Sequence, residues 1–285
     1  MKIPKRLLPL IDEGMIDEVV SQLMSGKEAQ VYVVRRGEEL RCAKIFKDAR
    51  QRSFKQAVQY QEGRTVRNTR RARAMSKKTR YGQREQEEAW LNAEVDALYR
   101  LAAAGVRVPQ PHAFIDGVLL MELITDQEGY AAPRLDNVTL SAEQARDYHD
   151  RIITDVVRML CAGLVHGDLS EFNVLVDRHG PVIIDLPQAV DAAGNNSAVY
   201  MFERDVDNMR AYFGRFAPEL LETEYAKEIW ALYEAGELHP EVKLTGRFEH
   251  DTSSVDVGDL MAVIGDALEE ENDRRERARD DQEEE

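Results

Sequence analysis

The amino-acid sequence predicts an α+β fold of two lobes, a small antiparallel sheet followed by a mainly helical region. Three observations predict it. Residues 25–47 read SGKEAQVYVV, then the turn Arg36-Gly37-Glu38, then LRCAKIFK, two strand-like arms joined as a β-hairpin. Two later stretches place apolar residues at helical spacing: Leu91, Val95, Leu98 and Leu101 within 88–103, and Tyr148, Ile152, Val156 and Met159 or Leu160 after Ser141. Finally, residues 164–186, LVHGDLSEFNVLVDRHGPVIIDL, set polar residues on short turns between apolar strand-like segments.

Composition bounds the function. A chain of 285 residues with 43% hydrophobic content is long enough for a two-lobed domain with a sizeable core. Cys42 and Cys161 lie in apolar contexts without a Cys-x-x-Cys pattern, which predicts reduced core thiols in a cytoplasmic protein. No apolar run approaches the ~20 residues of a membrane span, and the six His residues lack zinc-ligand spacing. The net charge of −15 is segregated. Residues 50–84 carry twelve Lys or Arg against the single acid Glu62, a local +11, so the remainder carries −26. A block of like charge repels itself and seeks a polyanion or an acidic partner.

Taken in order, residues 1–24 hold Leu7, Leu8, Leu10, Ile11, Met15, Ile16, Val19 and Val20 in a helix-like pattern broken by Pro9 and Gly14, predicting a helical extension packed on the first lobe. The first lobe spans 25–124. Within its strand Cys42-Ala43-Lys44-Ile45-Phe46, Lys44 needs an anionic partner if both faces are covered, and would snorkel to water on an edge strand. Glu94 is the complementary anomaly, a carboxylate inside the apolar stripe of the 88–103 helix. Residues 48–84 lack a long apolar period, predicting a largely flexible insertion that orders on contact, part of which can instead be a solvated charged helix. Residues 106–124 alternate strand-like runs with Pro109, Pro111 and the turn Asp116-Gly117. The second lobe spans 125–268. A polar connector, 125–140, leads to Ser141, which opens a helix with a capping box through Gln144. Further helices are expected near 200–213, 217–235 and 255–268. From Glu269 the chain has ten acids and four Arg and little that packs, which predicts a disordered acidic tail.

The chemistry concentrates in the central string. Asp168 and Asn173 are five positions apart in one loop, and Asp185 follows the apolar Val182, Ile183 and Ile184. Taken singly, Asp and Asn in a loop cap turns. Together they have phosphoryl-transfer spacing: a carboxylate near the attacking hydroxyl, then an amide oxygen and a second carboxylate for hard, oxygen-seeking Mg²⁺. A hairpin of 174–177 and 182–185 across Arg178-His179-Gly180-Pro181 would return Asp185 beside Asn173.

HGDLSEFNVLV followed by IIDLPQAV closely resembles the RIO family of atypical serine/threonine protein kinases, in which H-[AG]-D-L-S-E-[FY]-N and I-I-D-[FVL]-[PS]-Q recur. The similarity covers roughly residues 20–215. The few residues before the first lobe, too short for the winged-helix domain of another subfamily, point to the RIO1-type subfamily. This resemblance implies a bilobal protein-kinase-like fold binding ATP with Mg²⁺, or Mn²⁺ as an alternative. It implies Asp168 as the catalytic carboxylate and Asn173 and Asp185 as metal ligands. Lys44 would touch the α and β phosphates with Glu94 orienting it. S-[TG]-G-K-E-A-x-V-Y is the family's phosphate loop, so backbone N–H groups near Ser25, Gly26 and Lys27 would face the phosphates. Met121 would stand behind adenine, whose edge would meet the Glu122 C=O and Ile124 N–H. Arg204 and Asp205 fit a family R-D motif with an anchoring role.

Leu186-Pro187 replaces the Phe-Gly of ordinary kinases and no Ala-Pro-Glu follows, so the usual activation segment and peptide-docking subdomains are expected to be missing. The resemblance implies this truncation throughout the family, some members of which act mainly as ATP-driven switches, with the Asp185 equivalent taking the phosphoryl group transiently. Three activities therefore stand open: transfer to Ser, including autophosphorylation; an ATPase switch binding RNA, a ribosomal particle or an acidic protein surface through residues 50–84; and a small-molecule phosphotransferase. No membrane is expected among the partners.

Overall fold

Strand-forming β-branched residues crowd the first lobe, and there they make a sheet. The computed structural model describes residues 3–26, 29–47 and 80–248, with 80–91 as helical backbone only. Lys27, the basic stretch 48–79, the helix expected at 255–268 and the acidic tail 269–285 lie outside the described residues.

Helix α1 (Leu8–Asp12) precedes β1 (Glu18–Ser25), β2 (Ala29–Arg36) and β3 (Glu39–Phe46). The helical extension predicted for 1–24 is thus corrected in its second half. Gly14, at φ 66°, ends the helical segment, and 18–25 pairs antiparallel with β2 as the edge of the sheet. The apolar spacing that mimics a helix comes from two elements read as one, and Val19-Val20 prefers the pleated conformation. Helix α2 (Arg80–Ala103) begins eight residues before the start at Glu88 that periodicity suggests, so the last basic residues of the 50–84 block, Arg80 and Arg84, lie on it. Strands β4 (Pro111–Ile115) and β5 (Val118–Glu122) complete an antiparallel sheet in the order β1-β2-β3-β5-β4. Asp116 (φ 48°) and Gly117 (φ 75°) supply the left-handed turn that joins them.

Both faces of the sheet are covered, which decides where Lys44 points. Ala43 and Ile45 join Leu7, Leu10 and Ile16 in a cluster on one face. Phe46 joins Val95, Leu98 and Leu101 of α2 on the other, and Lys44 shares the parity of Phe46.

The second lobe is built on α3 (Ala142–Cys161). Its N-terminus has the predicted capping box: the Gln144 N–H donates to Ser141 Oγ at 3.2 Å, and the Ser141 N–H to Gln144 Oε1 at 3.0 Å. Strand β6 (Leu164–Val165) leads into the polar loop, followed by the hairpin β7 (Val174–Asp177) and β8 (Gly180–Ile183), then β9 (Val190–Asp191), which pairs with β6. The hairpin turn is two residues tighter than expected, because Asp177 Oδ1 accepts both the His179 and Gly180 N–H groups. Helices α4 (Ala198–Gly214) and α5 (Tyr225–Glu234) pack on α3, and Pro218–Glu222 is a short 3₁₀ helix where one continuous helix was expected from 217. Cys42 is buried as predicted, whereas Cys161 is exposed at the last position of α3, where the apolar stripe has already rotated away. Among the described residues, no helix is long and apolar enough to cross a membrane.

Candidate active site

The two misplaced charges find each other. Lys44 Nζ lies 2.6 Å from Glu94 Oε1 and 3.0 Å from Asp185 Oδ1, joining β3, α2 and the segment after β8. The Lys44 and Glu94 side chains are 14% and 5% exposed, so neither charge is solvated on its own. Burial alone would pull the ammonium down, but the two carboxylates outweigh it and hold Lys44 above its ordinary range. Asp185 is held below the usual carboxylate range, first by Lys44 against the opposing effect of burial.

The loop between β6 and β7 holds the rest. Asp168 is exposed. Asn173 Nδ2 donates to the Asp168 carbonyl at 2.8 Å, which fixes the amide and leaves its oxygen to act as a hard acceptor. The Asn173 carbonyl in turn accepts the Ile184 N–H at 2.9 Å, so the hairpin sets Asp185 beside Asn173 as its sequence suggests. Asp185 has φ 68°, a left-handed conformation open to Gly, Asn and Asp at a cost of roughly 1–2 kcal/mol. That strain turns its half-exposed carboxylate out of the core and toward Lys44.

Anchors beneath the loop hold its backbone. The buried Asp205 on α4 accepts the Gly167 N–H at 2.7 Å and the Leu169 N–H at 3.0 Å, while Arg204 donates to the Gly167 carbonyl. His166 satisfies both sides with one neutral tautomer: Nε2–H donates to Ile184 O at 3.1 Å and Nδ1 accepts the Asp168 N–H at 3.3 Å.

Other sequence-predicted positions fall as follows. Ser25 ends β1, and the Gly26 N–H is turned to Ala29 O at 2.9 Å rather than outward, closing the β1–β2 connection. Met121 is half-buried, paired with Cys42 on β3. Ile124 is buried and its carbonyl accepts from the Ala132 N–H. Glu122, predicted to act through its backbone alone, has a role for its side chain: it receives the Arg107 guanidinium at 3.0 and 3.1 Å.

Arg107, Lys47 and Arg134 are features that sequence reasoning missed. Arg107 also reaches Asp177 at 2.7 Å, and Lys47 Nζ donates to Gly26 O at 2.5 Å. Arg107 carried the same signal as Lys44, a charge inside an apolar run, Val106-Arg107-Val108.

Hard oxygen donors converge here. Among the described residues no three His, Cys, Asp or Glu side chains form a self-sufficient metal site. One carboxylate and one amide oxygen are instead what Mg²⁺ uses when phosphates complete its shell, so the residues fit that ion held with a nucleotide.

A sheet lobe over a helical lobe, with a buried lysine–carboxylate pair above an Asp/Asn loop, defines a bilobal protein-kinase-like fold lacking the usual activation segment: only twelve residues, 186–197, separate Asp185 from α4. A family model of the RIO domain matches residues 30–226, and the chain belongs to the RIO family. It is 30% identical over 210 residues to the RIO-type serine/threonine-protein kinase Rio1 of Haloferax volcanii, covering 72% of this chain and 67% of that protein. It is 32% identical over 211 residues to the serine/threonine-protein kinase RIO1 of Homo sapiens, covering 73% and 35%, and 29% identical over 218 residues to rio1 of Schizosaccharomyces pombe, covering 73% and 41%. The chain thus spans about two-fifths of the S. pombe relative's length and about one-third of the human one.

Proposed function

We propose that the chain is an ATP-dependent serine/threonine protein kinase of the RIO type, transferring the γ-phosphoryl group of Mg-ATP to a Ser hydroxyl, including its own. The observation that carries this reading is Lys44 held between Glu94 and Asp185 above the Asp168–Asn173 loop. When bound, Mg-ATP supplies the transferable group and the cation that spreads its charge. Lys44 offers the phosphates a fixed ammonium, because Glu94 sets its position and the pair keeps it protonated. Asn173 Oδ1 and the Asp185 carboxylate hold the metal. Asp168, exposed at the loop, orients the acceptor hydroxyl and takes its proton. Ser25 and Gly26 begin the loop that covers the phosphates, and Met121, Glu122 and Ile124 line the adenine side. Such catalysis is positioning and electrostatics, which is why the anchors from Asp205 matter as much as the groups they place.

A second reading has specific support. The exposed Asp185 carboxylate and the short 186–197 segment favour an ATPase switch in which Asp185 Oδ takes the phosphoryl group, ADP leaves, and water later cleaves the acyl phosphate. The basic residues 50–84 would then bind RNA, a ribosomal particle or an acidic protein surface, with affinity falling steeply with salt. The uncrosslinked thiols fit a cytoplasmic setting.

Incubation with γ-labelled ATP and Mg²⁺, beside Asp168→Ala and Asp185→Ala, separates the two. Acid-stable, alkali-labile label lost in both variants is expected for the serine kinase. Hydroxylamine-sensitive label, or free phosphate alone, would move the assignment to the switch. Absence of any turnover in the wild type would reject both.

A further inference from the structure

Arg134 stands at the mouth of the same cleft, and its surroundings are unusual for an arginine. Its backbone is pinned to the second lobe: Pro133 O accepts the Val176 N–H at 2.9 Å, Arg134 bridges to Leu175, and Arg134 O accepts the Asn137 N–H at 3.0 Å. Leu175 is two residues from Asn173, so the side chain starts beside the candidate metal donors. From there it crosses to the first lobe, where Nη2 meets Met24 Sδ at 3.6 Å on β1, one residue before Ser25. A thioether is a weak acceptor for a guanidinium with five donors. Across the cleft, Lys44 approaches the Asp185 carboxylate from β3. Two cations thus reach between the lobes, Lys44 from the first and Arg134 from the second.

We propose that Arg134 is a second phosphate-binding cation of the nucleotide cleft, exchanging the Met24 thioether for phosphate oxygens when nucleotide binds. The assignment rests on the reading that Mg-ATP occupies this cleft. A guanidinium suits the task because it stays charged and can engage two oxygens at once, whereas Lys44 is a point charge already committed to Glu94. The exchange replaces a weak contact with a charge-assisted one, so it favours nucleotides over nucleosides.

The test is isothermal titration of the full chain with Mg-ATP, ADP and adenosine, using wild type, Arg134→Ala, Arg134→Lys and Met24→Leu. Arg134 is exposed, so the variants should fold normally. About a tenfold loss of ATP affinity in Arg134→Ala, with adenosine within about twofold of wild type, is expected for one charge-assisted contact. Arg134→Lys should recover part of the loss, and Met24→Leu, which removes the competing thioether, should bind ATP at least as tightly as wild type. An equal loss for adenosine and ATP would mean that Arg134 only shapes the cleft, and unchanged ATP affinity would mean that it stays outside; either overturns the proposal. Failure of the wild type to bind ATP or ADP at all would instead reject the nucleotide site itself.

Discussion

Asp205 and His149 are both buried and titratable, and they pull the molecule's acid response in opposite directions. Asp205 is 2% exposed, and its carboxyl is pushed up to about 6, chiefly by burial, with partial relief from the Gly167 and Leu169 N–H groups. Its folded value therefore lies above the unfolded one, and the ionised group costs stability above about pH 6. That cost shrinks as pH falls through 6 toward 4. In Asp205→Asn the amide oxygen accepts one backbone N–H while its NH₂ confronts the other, so the loop loses an anchor. Phosphoryl transfer should fall by about tenfold or more, with nucleotide affinity retained. Urea denaturation of both proteins should show the wild type gaining roughly 1 kcal/mol on the variant between pH 7.5 and 5. A constant difference would refute the buried-charge account.

His149 behaves in the opposite sense. It is fully buried on α3, with ring centroids 5.8 Å from Phe213 and 5.6 Å from Tyr225. Neither ring nitrogen has a hydrogen-bond partner among the described residues, and Asp150 Oδ1 at 3.8 Å is too distant. Burial lowers its value below the ordinary range, so its contribution is complete above about pH 6.5 and is lost as pH falls below that. His149→Phe should flatten the decline in melting temperature between pH 7 and 5; an unchanged slope would place the acid sensitivity elsewhere.

At the scale of elements, Arg107 makes the sheet lobe and the catalytic hairpin move together. Its carbonyl accepts the Ile183 N–H of β8 at 2.9 Å, its backbone N–H reaches the buried Asp155 of α3, and its guanidinium joins Glu122 at the end of β5 to Asp177 at the end of β7. One residue thus fixes the chain that leaves α2 against β8, α3 and β7 of the second lobe and β5 of the first. Asp177 is 6% exposed and is held below the usual carboxylate range, its bonds from Arg107, His179 and Gly180 outweighing burial. Removing the guanidinium leaves that carboxylate poorly compensated. A double-mutant cycle of Arg107→Met and Asp177→Asn should give a coupling energy of about 1–2 kcal/mol. Additive losses would mean that the two side chains act independently. The cycle should also appear in transfer rate, because Asp177 shapes the turn that returns Asp185 to the site.

For the molecule as a whole, legibility followed the range of the interaction. The catalytic string was readable because Asp168, Asn173 and Asp185 are close in sequence and a local hairpin brings them together. Lys44 and Glu94 were readable although fifty residues apart, since each broke an apolar pattern that the fold had to satisfy. Arg107 and Arg134 join elements distant in the chain; Arg107 broke an apolar run as Lys44 did and was legible in principle, whereas Arg134 sits in a polar connector where a charge breaks no pattern. The first strand was misread because α1 and β1 together mimic one helical period. The same long-range contacts bridge the lobes of the described unit, together with the connector after β5 and the Lys44–Asp185 pair across the cleft. A ligand seated there adds a further link, and one that binds only the folded chain at 100 times its Kd stabilises it by about 2.7 kcal/mol. Mg-ATP should therefore raise the melting temperature of the wild type. Asp168→Asn should keep the full shift while losing transfer, because in the proposed reaction Asp168 faces the acceptor, and it bonds neither Lys44 nor Glu94. Lys44→Met should melt lower without ligand, since breaking a buried pair costs about 3–5 kcal/mol, and should lose most of the shift. Thermal scans with and without Mg-ATP decide the matter: a shift retained in Lys44→Met would remove that lysine from the phosphate site, and a shift lost in Asp168→Asn would make Asp168 a binding group rather than the base.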